Sequence, residues 1–401
     1  MAVWDDLVGQ QPVVEELSAA ATSAAAVVAG SADASAASRM THAWLVTGPP
    51  GAGRSTAARA FSAALQCTSP DVAMGAAPGC GFCDGCHTTL VGTHADVEVV
   101  RAELLTIGVK DTRELVRRAN LAPAGGRWQV ILLEDADRLT EGAANVLLKA
   151  VEEPAPRTVW LLCAPSQEDV LPTIRSRCRQ LRLRTPSDGA VADMLMRRDG
   201  IDPEMARYAA QAARGHLGLA RRLATDESAR ARRAEVLRVP LSVGDIGGCL
   251  RSAQLLVEAA TEDAKQLAEE TDAKEQEEMR AALGAAAGAG GRLPRGTAGI
   301  MKDLQDRQKR RATRTQRDTL DRALGDIAGF YRDVLAVQLG APVPATSDDG
   351  LREAVASAAG AGAPEATLRR IEAVLACRTA LERNVAPLLA VEAMALALWK
   401  G

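Results

Sequence analysis

The sequence predicts an α/β fold, a doubly wound parallel sheet in the N-terminal half, followed by a small helical lid and an all-α C-terminal domain. Three observations predict it. Apolar runs of strand length alternate with helical patterns as far as Pro186 and fade beyond it. A glycine-rich turn follows directly on the apolar run His42–Thr47, the strand–loop–helix order of a phosphate-binding loop. Hydrophobic residues make up 47% of the 401 residues and aromatics only 2%. The cores must therefore be built from Ala, Leu and Val, a composition that suits closely packed helices. The expected boundaries are 1–186 for the sheet domain with a cysteine module at 67–86, 187–238 for the lid and 239–401 for the last domain.

The elements follow in order. The Ala-rich run Ala19–Ala37 is broken by Ser, Gly and Asp, so it reads as an amphipathic helix and loop, not a membrane span. His42–Thr47 is a buried strand, and a helix follows over Ser55–Gln66. Residues 67 to 92 read as a Cys-rich loop. Val97–Val100 is a strand and Asp111–Asn120 a helix. Trp128–Leu133 is almost continuously apolar, which suits a central parallel strand covered on both faces. Ala143–Glu153 is a helix stopped by Pro154, Val159–Cys163 a strand, and Leu181–Leu183 the last strand. Beyond about residue 240 the chain is helical but interrupted, with a Gly/Ala-rich linker over 285–298, and Leu351–Lys400 closes it with helices.

The net charge is −3, which excludes a global field that draws nucleic acid in. Any DNA contact has to come from a local patch or from an assembly. The start, Met1–Asp6, is acidic and lacks the basic region of a signal peptide, so a cytoplasmic location with reduced cysteines is expected.

Gly48-Pro49-Pro50-Gly51-Ala52-Gly53-Arg54-Ser55-Thr56 has the form of a Walker A loop. Glycines let backbone N–H groups curl around phosphate, and the next helix presents its positive end to the same anion. Ser55 stands where a hydroxyl ligates Mg²⁺. Arg54 stands where Lys is usual; it keeps the charge as a planar fork, which puts the β/γ-phosphate geometry in question. The partner run Val130–Leu133 ends in Glu134-Asp135, the reverse of the usual Asp-Glu order for Mg²⁺ and water activation. An acid at the base position set back by roughly 1 Å costs about a hundredfold in rate. ATP with Mg²⁺ is therefore expected to bind weakly or not at all, and hydrolysis to be poor or absent.

Cys80-x2-Cys83-x2-Cys86, preceded by Cys67, supplies four thiolates at a spacing that surrounds one tetrahedral Zn²⁺. No position is left for water, so the expected site is structural. An iron–sulfur cluster also takes four cysteines, and His87 is a competing ligand; zinc is the preferred reading. Cys163, Cys178, Cys249 and Cys377 are scattered and read as packed apolar residues.

The order of these signals carries a family resemblance. Trp4-Asp5-Asp6-Leu7-Val8-Gly9-Gln10 is followed by His42-Ala43-Trp44-Leu45, the phosphate loop, the four cysteines and His94-Ala95-Asp96-Val97. Then come the acidic strand, Ala143–Pro154 with its Leu147-Leu148-Lys149-Ala150-Val151-Glu152-Glu153-Pro154, and Pro172-Thr173-Ile174-Arg175-Ser176-Arg177-Cys178. Over roughly residues 1 to 235 this resembles the clamp-loader branch of AAA+ proteins, and the zinc knuckle resembles the bacterial subunits in particular. The resemblance implies an AAA+ P-loop domain with a zinc knuckle, a helical lid and a helical collar. It implies a place in the DNA polymerase III holoenzyme, beside gamma/tau and delta subunits, loading a sliding clamp onto primer–template DNA. Arg54 and Glu134-Asp135 fit the delta-prime type of subunit better than the ATP-hydrolysing gamma/tau type. Ala164-Pro165-Ser166 at the first sensor, and Gly218 where the second sensor offers an Arg, point the same way; Arg221 and Arg222 lie one turn later. In relatives the Arg of Ser176-Arg177-Cys178 reaches into a neighbour's ATP site, so Arg177 is the expected trans finger. The rival readings are a hydrolysing gamma/tau-like subunit and a zinc-containing nucleotide-binding adaptor outside replication.

Of the rest, Met301–Arg322 mixes basic residues, Lys309-Arg310-Arg311 among them, with Asp303, Asp306, Asp318 and Asp321, and reads as a salt-bridged helix rather than a DNA-binding one. Glu269–Glu278 reads as simply exposed, and Trp4, Trp44, Trp128 and Trp160 as core packing. Lys149 suits a sensing role and a structural one equally.

Overall fold

The computed structural model describes residues 2–31, 40–102, 106–125, 127–282, 298–341 and 349–401. The 285–298 linker lies, except for its last residue, outside the described residues. The chain forms two units, Met1–Thr225 and Asp226–Gly401. No helix among the described residues is long and apolar enough to cross a membrane.

The first unit opens with a short 3-10 turn, Val3–Asp6, and helix α1 (Gln11–Val28). The sheet strands are β1 (Ala43–Thr47), β2 (Val97–Val100), β3 (Gln129–Leu133), β4 (Thr158–Ala164) and β5 (Arg179–Arg182), in the order β2-β3-β4-β1-β5, all parallel. Between them run α2 (Arg54–Leu65), α3 (Asp84–Val91), α4 (Val109–Ala119) and α5 (Glu141–Glu152). Side chains alternate along each strand, so every central strand feeds two cores. Trp44, Val46, Val130, Leu132, Val159 and Leu161 pack with α1 and α2. Leu45, Ile131, Leu133, Trp160 and Leu162 pack on the other face with α4 and α5. Burial on both faces is why these strands read as continuous apolar runs. This is the α/β P-loop core that the resemblance implies. Trp44 and Trp160 are fully buried, and Trp44 meets Phe61 edge-on at 5.2 Å, so core packing is what these indoles do.

Helices α6 (Asp188–Asp199), α7 (Pro203–Ala213) and α8 (Leu217–Thr225) complete the unit. Ser187 caps α6 and Asp202 caps α7 through side-chain oxygens. The second unit contains α9 (Glu227–Ser242), α10 (Ile246–Ala282), α11 (Ala298–Gln338), α12 (Asp349–Gly360), α13 (Pro364–Glu382) and α14 (Pro387–Lys400). Its core joins Cys249, Leu256, Leu320, Ile327, Phe330, Val374 and Met394.

Two readings need correction. The segment 67–92 is not all loop: α3 spans eight of its residues and ends at Gly92, whose φ of 87° supplies the left-handed turn a helix C-terminus favours. And the acidic stretch Glu269–Glu278 is not simply exposed, because Asp272 and Glu275 pair with Arg311 of α11.

Candidate functional site: phosphate loop, cysteine module and exposed arginine

Both polar sites of the first unit hang on α2. Gly53, at a left-handed φ of 97°, caps its N-terminus, and Cys67 lies two residues beyond its C-terminus. The helix is held by Ala57, Ala58, Ala60, Phe61, Ala63, Ala64 and Leu65, all buried, so its two ends are fixed relative to one sheet.

At the N-terminal end, Gly48, Gly51, Gly53, Arg54, Ser55 and Thr56 form the loop and first turn after β1, as the sequence indicates. Gly48 N–H donates to the Pro165 carbonyl at 3.2 Å, tying the loop to the end of β4. Gly51 has φ 81°, and a Cβ there would lie 2.6 Å from His216 Cα; Leu217 N–H also donates to the Gly51 carbonyl at 3.2 Å. The lid thus packs directly on the loop, through His216, which sequence reasoning did not single out. Arg54 has one guanidinium nitrogen, Nη1, buried with no hydrogen-bond partner.

The acidic strand is not disposed for a metal. Glu134, buried at the end of β3, is paired with Arg59 of α2 at 3.1 Å and with Arg101 beyond β2. Asp135 accepts the Ala102 N–H at 3.0 Å. Burial, with a smaller contribution from the Asp135 charge, pushes the nearby Asp137 carboxyl above its usual value, against its own backbone hydrogen bond and the weaker pulls of Arg138 and Arg54. The unpartnered Nη1 of Arg54 suits an anion at the loop; the carboxylates, with Glu134 already neutralised by two guanidinium groups, do not suit Mg²⁺. At the first-sensor position the Ser166 hydroxyl is engaged by Glu168, and its N–H by Asp169 at 3.0 Å. One turn after Gly218, the second-sensor position, Arg221 pairs with Asp199 of α6 at 2.9 Å, inside the lid. Arg59 and Arg101 were not legible as site residues, because no spacing rule links them to Glu134.

At the other end of α2, the Sγ atoms of Cys67, Cys80, Cys83 and Cys86 all lie within 4.8 Å of one another. The separations are 3.9 Å for Cys67–Cys80, 4.0 Å for Cys80–Cys86 and 3.8 Å for Cys83–Cys67. Four Zn–S bonds of about 2.3 Å in a tetrahedron put sulfurs about 3.8 Å apart, so the donor set fits. The Cys86 thiol holds Cys67 down to about 4 and is itself pushed up, a proton-sharing cluster of the kind a cation replaces. Two glycines make the close approaches. A Cβ on Gly85 would collide with the Gln66 carbonyl oxygen, and one on Gly79 would lie 2.7 Å from Val3 Cγ2. Val3 N–H donates to the Gly79 carbonyl at 3.0 Å and Trp4 Nε1 to that of Pro78 at 3.3 Å, so the N-terminal turn braces the module. Cys163, Cys178, Cys249 and Cys377 are buried and unbridged, as expected.

Arg177 lies on the surface of the same unit, between the single turn Pro172–Arg175 and β5. Lys149 is exposed on the last turn of α5.

Residues 26–187 match a family model described as DNA polymerase III, delta subunit. A DNA polymerase III subunit delta' of Pseudomonas aeruginosa is 36% identical over 199 residues, 49% of this chain and 59% of that protein. A subunit gamma/tau of Mycobacterium tuberculosis is 33% identical over 184 residues, 46% of this chain and 29% of that protein. The chain therefore spans under two thirds of the length of these relatives. Among solved structures, a gamma subunit-related protein of Thermotoga maritima is similar with a TM-score of 0.39 and 14% identity, over 90% of this chain and 94% of that one.

Proposed function

We propose that this delta-prime-like chain is a clamp-loader subunit of a DNA polymerase III holoenzyme, working in the cytoplasm beside gamma/tau and delta subunits. In this reading it supports loading of the sliding clamp onto primed DNA as a stator. It turns over no ATP itself and donates Arg177 to a neighbouring ATPase site. Zn²⁺ at Cys67, Cys80, Cys83 and Cys86 serves structure only.

The observation that carries the reading is the state of the acidic strand: Glu134 is held by Arg59 and Arg101 rather than left free for a metal. A hydrolytic site needs that carboxylate to place Mg²⁺ between the phosphates. Here the arginines supply the positive charge from within the chain. The exposed position of Arg177 supports the second half of the reading, since a guanidinium delivered in trans stabilises charge on the γ-phosphate with effects on the order of 10³–10⁵ in related NTPases.

The test is clamp- and DNA-stimulated ATP hydrolysis by the reconstituted loader with this chain or its Arg177→Ala variant. A collapse of turnover with assembly intact on gel filtration is the expected result. Unchanged turnover removes Arg177 from the mechanism, and failure to assemble with gamma/tau and delta subunits favours the adaptor reading. The gamma/tau-like alternative draws on the 33% identity to a gamma/tau subunit. It requires ATP turnover by the pure chain that Asp135→Asn abolishes.

A further inference from the structure

Arg177 has a dedicated partner. Its Nη2 lies 2.6 Å from Glu152 Oε1, and its Nη1 donates to the Thr173 carbonyl at 2.8 Å and to Ser176 Oγ at 3.1 Å. The flanking arginines are engaged elsewhere. Arg179 pairs with Glu16 at 2.6 Å and lies 5.1 Å from the Trp44 ring centroid, while Arg175 donates to the Gln167 carbonyl at 3.4 Å. Glu152 itself stands on a fixed base. It is the last residue of α5, and the preceding Val151 is fully buried, with its carbonyl 2.7 Å from His42 Nε2.

We propose that Glu152 is a positioning residue that parks Arg177 while the neighbouring site is not ready for hydrolysis. The inference rests on the trans-finger reading above. Arg177 and Glu152 side chains are 39% and 38% exposed, so the pair is worth a factor of at most about five in equilibrium. That is enough to decide where an unengaged guanidinium rests. It is too little to resist a multiply charged terminal phosphate, which offers several charge-assisted acceptors at once. Parking therefore acts as a bias on a two-state side chain. It lowers the fraction of Arg177 engaged when the assembly is only partly closed, and it becomes irrelevant once clamp and DNA have closed the interface.

The consequence is specific. In Glu152→Gln, ATP turnover of the complete loader without clamp and DNA rises about two- to five-fold, the factor a surface ion pair commands. Turnover with both present stays at the parent value, so the stimulation ratio falls by the same factor. Glu152→Asp, which keeps the charge on a shorter stem, falls between the two. The double variant Glu152→Gln/Arg177→Ala shows the low turnover of Arg177→Ala alone. A merely structural role for Glu152 would shift unfolding temperature and leave the ratio unmoved.

The experiment measures both rates on loaders reconstituted with cognate subunits and the parent chain, each single variant or the double. A raised unstimulated rate that Arg177→Ala removes is the expected result. If Arg177→Ala collapses turnover while Glu152→Gln leaves the ratio unchanged or lowers the unstimulated rate, the parking role is overturned and the finger stands. If Arg177→Ala changes nothing, finger and parking fall together. A double variant that keeps the gain also overturns the inference, because the effect then bypasses Arg177.

Discussion

The two ends of α2 carry sites built on opposite principles. At its C-terminal end four thiols converge within 4.8 Å of one another, a donor set that could hold a cation. At its N-terminal end the acidic residue that should seek a cation already has two, in Arg59 and Arg101. Clustered like donors raise the free energy of the empty site and so define a binding site. Acids neutralised from within remove the need for a ligand and leave a structural joint. A Walker-like sequence is thus a weaker statement about chemistry than a cysteine quartet. The first names a backbone shape, and the second names a charge that must be balanced.

Removing a thiol has the largest expected effect at either end of α2. Cys86 is buried, and its sulfur lies 3.4 Å from the Ala63 carbonyl of α2. Cys86→Ser is expected to drop metal content from one zinc per chain to a trace. It should also cost several kcal/mol, since metal binding in such modules is folding free energy of about 10–16 kcal/mol in the strongest cases. Elemental analysis and thermal unfolding with and without a chelator read this. The loss should also follow acidification, because protons compete for the thiolates as pH falls. A Cys86→Ser chain that keeps full zinc would remove Cys86 from the ligand set, and a parent chain whose melting temperature a chelator leaves unmoved would show that the module needs no cation.

The opposite end gives a smaller effect whose sign is informative. In a working metal site, removing the carboxylate relieves repulsion among neighbouring acids, and stability often rises at the expense of activity. Here Glu134→Ala leaves Arg59 and Arg101 without their shared counter-ion. A fully buried pair broken this way costs about 3–5 kcal/mol, and the exposure of both arginines lowers the expectation to about 1–3 kcal/mol. Chemical denaturation of the parent and Glu134→Ala chains measures it, with millimolar Mg²⁺ leaving the parent unmoved. A stabilised Glu134→Ala chain, or a parent strengthened by Mg²⁺, would return the acidic strand to the metal-binding class.

The sequence announced the sheet and the cysteines for related reasons. β1, β3 and β4 are covered on both faces, so their residues are apolar without interruption, and a local run suffices to find them. Cys67, Cys80, Cys83 and Cys86 lie within a short stretch of chain, and ligand spacing is a local property as well. What stayed hidden is long-range pairing. Arg59 and Arg101 lie 75 and 33 residues from Glu134. Their side chains meet it only because α2 and the end of β2 converge at the end of β3. His216 on Gly51 is hidden in the same way, since nothing in Gly215-His216-Leu217 says which loop the lid will touch. The short helix α3 escaped because its composition is dominated by cysteine, glycine and threonine, which signal a loop. Its first turn is set by the packing of Cys86 and Gly85 against α2, not by propensity.

The second unit offers the mildest test of the same idea, that charges satisfied within the chain mark joints. Among the described residues, the apolar cluster of that unit runs along α10 as far as Ala260 and along α11 from Leu320. Beyond those points Ala264 and Met301 are buried, and the two helices are joined by polar pairs. Arg311 binds Asp272 and, at 2.7 Å, Glu275; Gln308 and Gln276 bond at 2.7 Å. Arg311 holds the Glu275 carboxyl below its usual range. With Arg311 39% exposed, solvent screening keeps the interaction near the top of the surface range, about 0.5–1 kcal/mol. Arg311→Ala should therefore leave the global melting temperature almost unchanged. Amide hydrogen exchange should nevertheless speed up several-fold in 265–280 and 302–315, because the polar pairs that join those two segments are lost. Exchange that accelerates equally in α13 and α14 would mean the pair stabilises the whole unit, and the distinction between joint and core would not hold there.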